Sequence, residues 1–149
     1  MKKICWLIAV MFSIAAFNYT QAQIRKVPAA VTEAFKARYP NTKNVEWKDK
    51  ITGFQVNYDM DGVKYESKFS NKGEWLQTEK EVGEDALPAE VKDGYSKSKF
   101  TDWQLKSATW VQSKDNGVQY RLFVRKNDIE KKYLYFDKKG KLVKDVITI

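Results

Sequence analysis

The feature that most constrains the fold is an internal duplication. Val27-Pro28-Ala29-Ala30-Val31 recurs sixty residues on as Leu87-Pro88-Ala89-Glu90-Val91, and Phe35 is matched by Tyr95 at the same spacing. Further along, Phe69-Ser70-Asn71-Lys72-Gly73-Glu74-Trp75 recurs as Phe136-Asp137-Lys138-Lys139-Gly140-Lys141-Leu142. Order and spacing are both preserved, which is the signature of a repeated supersecondary unit. The first copy runs over 23–82 and the second over 83–149, joined through Gly83-Glu84-Asp85-Ala86. The second copy is seven residues longer between its matched landmarks, which predicts longer first strands and a longer hairpin there.

Each copy opens with a helix, because proline suits the first helical position, where its missing N–H costs nothing. Val27, Val31, Ala34 and Phe35 form one apolar stripe, and Leu87, Val91 and Tyr95 form its counterpart. Pro40 stops the first helix. Gly94 sits inside the second, where glycine costs about 1 kcal/mol relative to alanine unless a close approach needs it. Four strands then follow in each copy, predicted at 44–50, 53–59, 63–69 and 74–81, and at 103–113, 117–126, 130–136 and 141–148. Asp59-Met60-Asp61-Gly62, Ser70-Asn71-Lys72-Gly73, Asn116-Gly117, Asn127-Asp128 and Lys138-Lys139-Gly140 are the turns between them. Strands joined so tightly are antiparallel. The predicted class is therefore α+β: a tandem repeat of one helix plus a four-stranded antiparallel meander, with the helices packed on one sheet face. The two copies together make one compact domain.

Residues 1–22 read as a secretory leader. Lys2 and Lys3 precede an apolar run from Ile4 to Phe17, and small residues Thr20 and Ala22 follow. The run is shorter than the ~20 residues that span a bilayer, so no transmembrane segment is expected after cleavage. The protein is expected to be periplasmic or secreted. The only cysteine, Cys5, belongs to this leader and precedes most of the apolar run, so it cannot carry a lipid anchor at the end of that run. Losing Lys2 and Lys3 leaves 25 basic residues against 19 acidic ones. The stretch 121–144 alone holds nine basic and three acidic residues, so it carries the whole excess.

Composition then removes several chemistries. The chain has no histidine, which excludes Ser-His-Asp and Cys-His machinery and His-ligated zinc. Asp59-Met60-Asp61-Gly62 lacks the remaining ligands of a calcium loop and fits a hairpin turn. Lys97 and Ser98 lie at a helix end outside any S-x-x-K motif. There is no glycine-rich phosphate loop, and no pair of carboxylates stands out for glycoside chemistry. The expectation is a protein that is not an enzyme, with no cofactor and no bound metal.

Period-two alternation sorts the strands into two faces. Phe54, Val56, Tyr58 and Phe69 share one face with Tyr120, Leu122, Val124 and Phe136, and Trp47 and Trp110 join them by pattern. This set is the predicted helix-facing core. The other face of the first copy shows Gln55, Asn57, Lys64, Glu66 and Lys68, an ordinary solvated surface. In the second copy the same face shows Arg121, Phe123, Arg125, Tyr133 and Tyr135. Aromatic and arginine enrichment on a face that should be wet marks a candidate partner-binding site, which Trp75 and Trp103 are candidates to extend. The plain alternative is that this face meets the other repeat or a second chain, or that the rings cover their own sheet. The basic stretch 121–144 offers a second reading, binding of an anionic envelope polymer or lipid, and export argues against a nucleic-acid partner. A third is a structural periplasmic domain, and lysines along a hairpin also guard a sheet edge from pairing.

The V/L-P-x-x-V helices, the tryptophan that follows, and the F-S-N-K-G-E-W and F-D-K-K-G-K-L turns resemble the PepSY-like family, also described as beta-lactamase-inhibitor-like proteins. The resemblance covers about 25–149. It implies tandem helix-plus-four-strand repeats in a curved antiparallel sheet outside the cytoplasm. Related PepSY domains are thought to inhibit peptidases, and inhibitors of similar fold grip enzymes with the concave sheet face. Arg121, Phe123, Arg125, Tyr133 and Tyr135 would sit on that face. Unlike the beta-lactamase inhibitors, the chain beyond residue 22 has no disulfide, and no inhibitory loop can be matched. The expected function is therefore an exported, non-enzymatic binding module that contacts an exported or envelope protein, with inhibition of a hydrolase as its implied mode.

Overall fold

The computed structural model describes residues 25–148; the segment 1–22, expected to be a leader, lies outside them. Helix α1 (Ala29–Arg38) precedes strands β1 (Lys43–Lys50), β2 (Gly53–Met60), β3 (Val63–Ser70) and β4 (Trp75–Val82). Helix α2 (Ala89–Ser96) then precedes β5 (Gln104–Ser113), β6 (Gly117–Arg125), β7 (Lys131–Asp137) and β8 (Leu142–Thr148). All eight strands form one antiparallel sheet in sequence order. The repeats are thus fused edge to edge, through a β4–β5 ladder running from Gln77↔Ser113 to Val82↔Ala108. The extra residues of the second repeat lengthen β5 and β6 as expected, and they also lengthen the α2–β5 and β6–β7 connections.

Both helices lie on one face, each over its own core. Val31 and Phe35 of α1 pack with Phe54, Val56, Tyr58 and Phe69. Leu87 and Val91 pack with Phe100, Ala108, Leu122, Val124, Leu134 and Phe136. Pro28 and Pro88 stand immediately before the first helical residue, and their carbonyls accept from Val31 and Val91 N–H, at 3.0 Å in both cases. Trp47 joins the first core at its margin. Trp110 does not reach a core: it is half-buried on the helix-bearing face, opposite Tyr120 and Lys80, with Lys80 Nζ 5.7 Å from its ring centroid.

The turn before the last strand of each repeat touches its helix. Gly140 has φ +78°, and a Cβ there would lie 1.9 Å from Glu90 O. The contact is mutual, since a Cβ on Gly94 would lie 1.9 Å from Gly140 O. Gly94 is therefore a packing requirement: α2 rests on the β7–β8 turn at a distance that admits only glycine.

The two cores differ in polarity. In the first, Thr78 Oγ1 meets Tyr39 OH (2.5 Å) and Ser67 Oγ (2.6 Å) and accepts from Trp75 Nε1 (2.8 Å), while Ser67 Oγ also meets Tyr58 OH (3.0 Å). Burial opposes ionisation of Tyr39, but hydrogen bonds with Thr78, Ser67 and Arg38 outweigh it and hold the phenol below its ordinary value. Burial pushes Tyr58 the other way. At the matching places in the second repeat stand Leu134, fully buried, and Asp145, which pairs with Lys132.

Candidate functional site

The face opposite the helices carries the candidate residues, and strand pairing brings them together. Arg121 of β6 lies opposite Tyr135 of β7, Phe123 opposite Tyr133, and Arg125 opposite Lys131. The Phe123 and Tyr133 rings are in tilted contact, with centroids 5.2 Å apart. The Arg121 guanidinium carbon lies 5.4 Å from the Tyr133 ring centroid, and Lys144 Nζ lies 5.8 Å from that of Tyr135. All five predicted residues are half-buried. Three aromatic rings on adjacent strands, with no helix of the described residues above them, form a semi-apolar platform.

Its arginines are engaged within the molecule. Arg121 donates through Nη1 and Nη2 to the two carboxylate oxygens of Glu79, at 3.1 and 3.3 Å. Burial of the guanidinium opposes its charge, but Glu79 more than offsets this and holds Arg121 above the usual arginine range. Arg125 is turned into the β6–β7 connection, where Nε donates to Asn127 O at 3.2 Å and Nη2 pairs with Asp128. Of the other cations in 121–144, Lys126 pairs with Glu130 and Lys132 with Asp145. The basic stretch is thus partly neutralised by its own neighbours.

The first-repeat half of the same face is more than a plain solvated surface. Gln55 is buried at 7% exposure, and its Nε2 donates to Asn57 Oδ1 and Glu66 Oε2. Glu66 lies directly opposite Glu79, a like-charge pair that costs stability unless compensated. Lys68 compensates Glu66 at 3.3 Å, and Arg121 compensates Glu79. Around them is a depression of about 580 Å³, lined among others by Glu46, Asp59, Glu66, Glu79, Glu81 and Arg121. Val111, between Glu79 and Gln119 on this face, is buried at 5% exposure. Arg121 therefore joins an acidic hollow in the first repeat to an aromatic platform in the second.

The two candidate extensions of the platform lie on the other face. Trp75 packs against the α1 core and Trp103 against the α2 core. The reason is a bulge near each. The register slips between Lys68 and Phe69 in the β3–β4 ladder, so Trp75 comes to lie opposite Phe69 on the helix side. It slips again between Leu105 and Ser107 at the start of β5. Each slip reverses which face the flanking residues take. Sequence reasoning also missed the platform's far side: Val146 of β8 lies opposite Tyr133, and Lys144 opposite Tyr135. The Asp59-Met60-Asp61-Gly62 segment is a hairpin turn, with Asp61 and Gly62 both at positive φ. Among the described residues, no three acidic or other ligating side chains converge as a metal site.

Fold and face together define a class: a two-repeat protein with paired helices on one side of a long meander and an uncovered, aromatic sheet face on the other. The chain belongs to the family described as "Putative beta-lactamase-inhibitor-like, PepSY-like", which it matches over residues 16–64 and 55–144. Solved structures share the fold. A BLIP-like protein from Bacteroides fragilis has 22% identity and a TM-score of 0.78, covering 85% of this chain and 90% of that one. A DUF2874 family protein from Bacteroides uniformis has 21% identity and a TM-score of 0.75, covering 82% and 90%. A Bacteroides eggerthii protein described as "putative periplasmic" has 24% identity and a TM-score of 0.73, covering 83% and 90%. No curated protein matches. Family membership places the chain in an inhibitor-like, non-enzymatic class. No helix among the described residues is long and apolar enough to cross a membrane.

Proposed function

We propose that this protein is an exported binding module that holds another envelope or exported protein against the aromatic half of its helix-free sheet face, with inhibition of a hydrolase as its mode of action. The observation that carries the reading is the Phe123–Tyr133 ring pair, with Tyr135 beside it, on a face that no helix of the described residues covers. Half-exposed aromatic rings on a rigid sheet supply contact area at little entropic cost, as binding hot spots do. The family's inhibitor-like description supports a contact role, and the B. eggerthii relative supports a periplasmic setting. Arg121, held by Glu79 and lying over the Tyr133 ring, serves here as a buttress of the rings, and Arg125, held by Asp128, rims the patch.

The test is capture from envelope extract by the purified protein and by a Phe123→Ser/Tyr135→Ser double variant. The expected result is a folded double variant, shown by an unchanged far-UV spectrum and cooperative unfolding, that no longer retains the protein captured by wild type. Recovery of the same protein by the folded variant refutes the assignment. Capture should also persist as salt is raised, because aromatic burial is not screened. Binding of an anionic polymer through 121–144 would instead fall steeply with ionic strength.

A further inference from the structure

The two edges of the sheet are built differently. Edge strand β1 carries Lys43, Lys48 and Lys50, its ladder slips between Lys43 and Glu46, and Asn44 takes a left-handed φ of 50°. Charge and irregular backbone of this kind keep an edge from pairing with another chain. Edge strand β8 slips once, between Leu142 and Lys144, but from Lys144 to Thr148 it pairs regularly with β7 and has no left-handed residue. Val143 is 44% exposed and Ile147 72% exposed. Its only charges, Lys144 and Asp145, both turn inward to β7: Lys144 rests on the Tyr135 ring and Asp145 pairs with Lys132.

We infer that β8 is a self-association edge, at which two copies of this chain pair antiparallel about a twofold axis through Val146. The axis stands perpendicular to the sheet, so each residue must meet a residue of its own face. Centring the pair on Lys144 or on Asp145 sets like charges directly opposite one another, which is unfavourable. Centring it on Val146 sets Lys144 against Thr148 of the second copy, sets Asp145 against its Ile147, and leaves Val146 facing its own counterpart. This register continues a row that already crosses the sheet. Phe123, Tyr133 and Val146 lie side by side on β6, β7 and β8, and the axis extends them into Val146, Tyr133 and Phe123 of the second copy. The aromatic platform becomes one uninterrupted stripe. A twofold contact closes on itself, and the guarded β1 edge keeps the dimer from growing into a filament.

The test is sedimentation velocity on the exported protein from micromolar to several hundred micromolar, together with single-cysteine variants. The expected species at high concentration has twice the monomer mass and dissociates on dilution. Val146→Lys sets two ammonium groups across the axis and weakens association about tenfold or more. Directly opposite strand residues have Cα atoms about 4.5–5.5 Å apart, within disulfide reach. Under oxidation Val146→Cys should therefore link two chains, and the protein beyond residue 22 has no other cysteine to confuse the result. Ile147→Cys should not link, because its counterpart is displaced two residues along the strand, beyond the ~7 Å limit. A monomer at every concentration overturns the inference. So does a dimer indifferent to Val146→Lys, or equal cross-linking of the two cysteine variants.

Discussion

Replacing Gly94 by alanine sets two effects of opposite sign against each other. Gly94 lies within α2, where alanine is favoured by about 1 kcal/mol on helix propensity. Against that, the new methyl would start 1.9 Å from Gly140 O and 2.8 Å from Gly140 C. No real carbon tolerates such a separation, and the obstruction is backbone on a tight turn rather than a side chain that can swing away. Gly140 cannot retreat easily, because it has positive φ and itself abuts Glu90 O. Overpacking generally costs about 1–3 kcal/mol, and with backbone on both sides the upper end applies. The net expectation is a loss of about 2 kcal/mol. For a chain of this size that lowers Tm by about 8 °C, at about 4 °C per kcal/mol. Urea unfolding followed by circular dichroism should show a lower midpoint with an unchanged m-value. Ser96→Ala, on the exposed side of the same helix, should stay within about 0.5 kcal/mol of wild type. A Gly94→Ala protein as stable as wild type, or more so, refutes the claim that α2 is pinned to the β7–β8 turn.

Thr78→Val removes the hydroxyl on which Tyr39, Ser67 and Trp75 converge; it should cost about 2–4 kcal/mol, because polar partners are left unsatisfied in or beside the core, and chemical denaturation measures it directly. The hydrogen bond from Lys132 holds the Asp145 carboxyl below the usual carboxylate range, against a smaller opposing effect of burial. The unfolded chain therefore takes up the proton first as pH falls, so the stability from this pair is full above about pH 4 and fades below it. Asp145→Asn should flatten that part of the stability–pH curve, and an unaltered curve would show the pair to be idle.

Much of the fold is legible in the sequence because its signals are local and agree with one another. Asn116-Gly117 and the Lys-Gly of each later turn fix the hairpins, and alternation such as Phe54–Val56–Tyr58 fixes the faces. The face bearing Arg121, Phe123, Arg125, Tyr133 and Tyr135 was readable because β6 and β7 pair without a slip. The faces of Trp75 and Trp103 were not legible because parity counting fails across a bulge, and a bulge leaves no composition of its own. The acidic hollow was invisible for another reason. Glu66 and Glu79 lie on different strands, and Arg121 comes to them from the second repeat, so nothing local marks the meeting. Nor does the pattern of β4 reveal that its free side pairs with β5, the ladder that turns two meanders into one sheet.

That ladder has a consequence for how the chain comes to its final state. A polypeptide leaves the ribosome N-terminus first. The first repeat has its own helix, core and neighbour-to-neighbour strand contacts, so it can close while the rest is still in transit. Until β5 arrives, β4 stands open along its outer side, and the segment from Gly83 to Trp103 sets how soon that side is filled. In that order of emergence the first repeat would fold first and offer β4 as the template for β5. For that interval its vulnerable margin lies in the middle of the finished molecule, where no trace of the exposure remains.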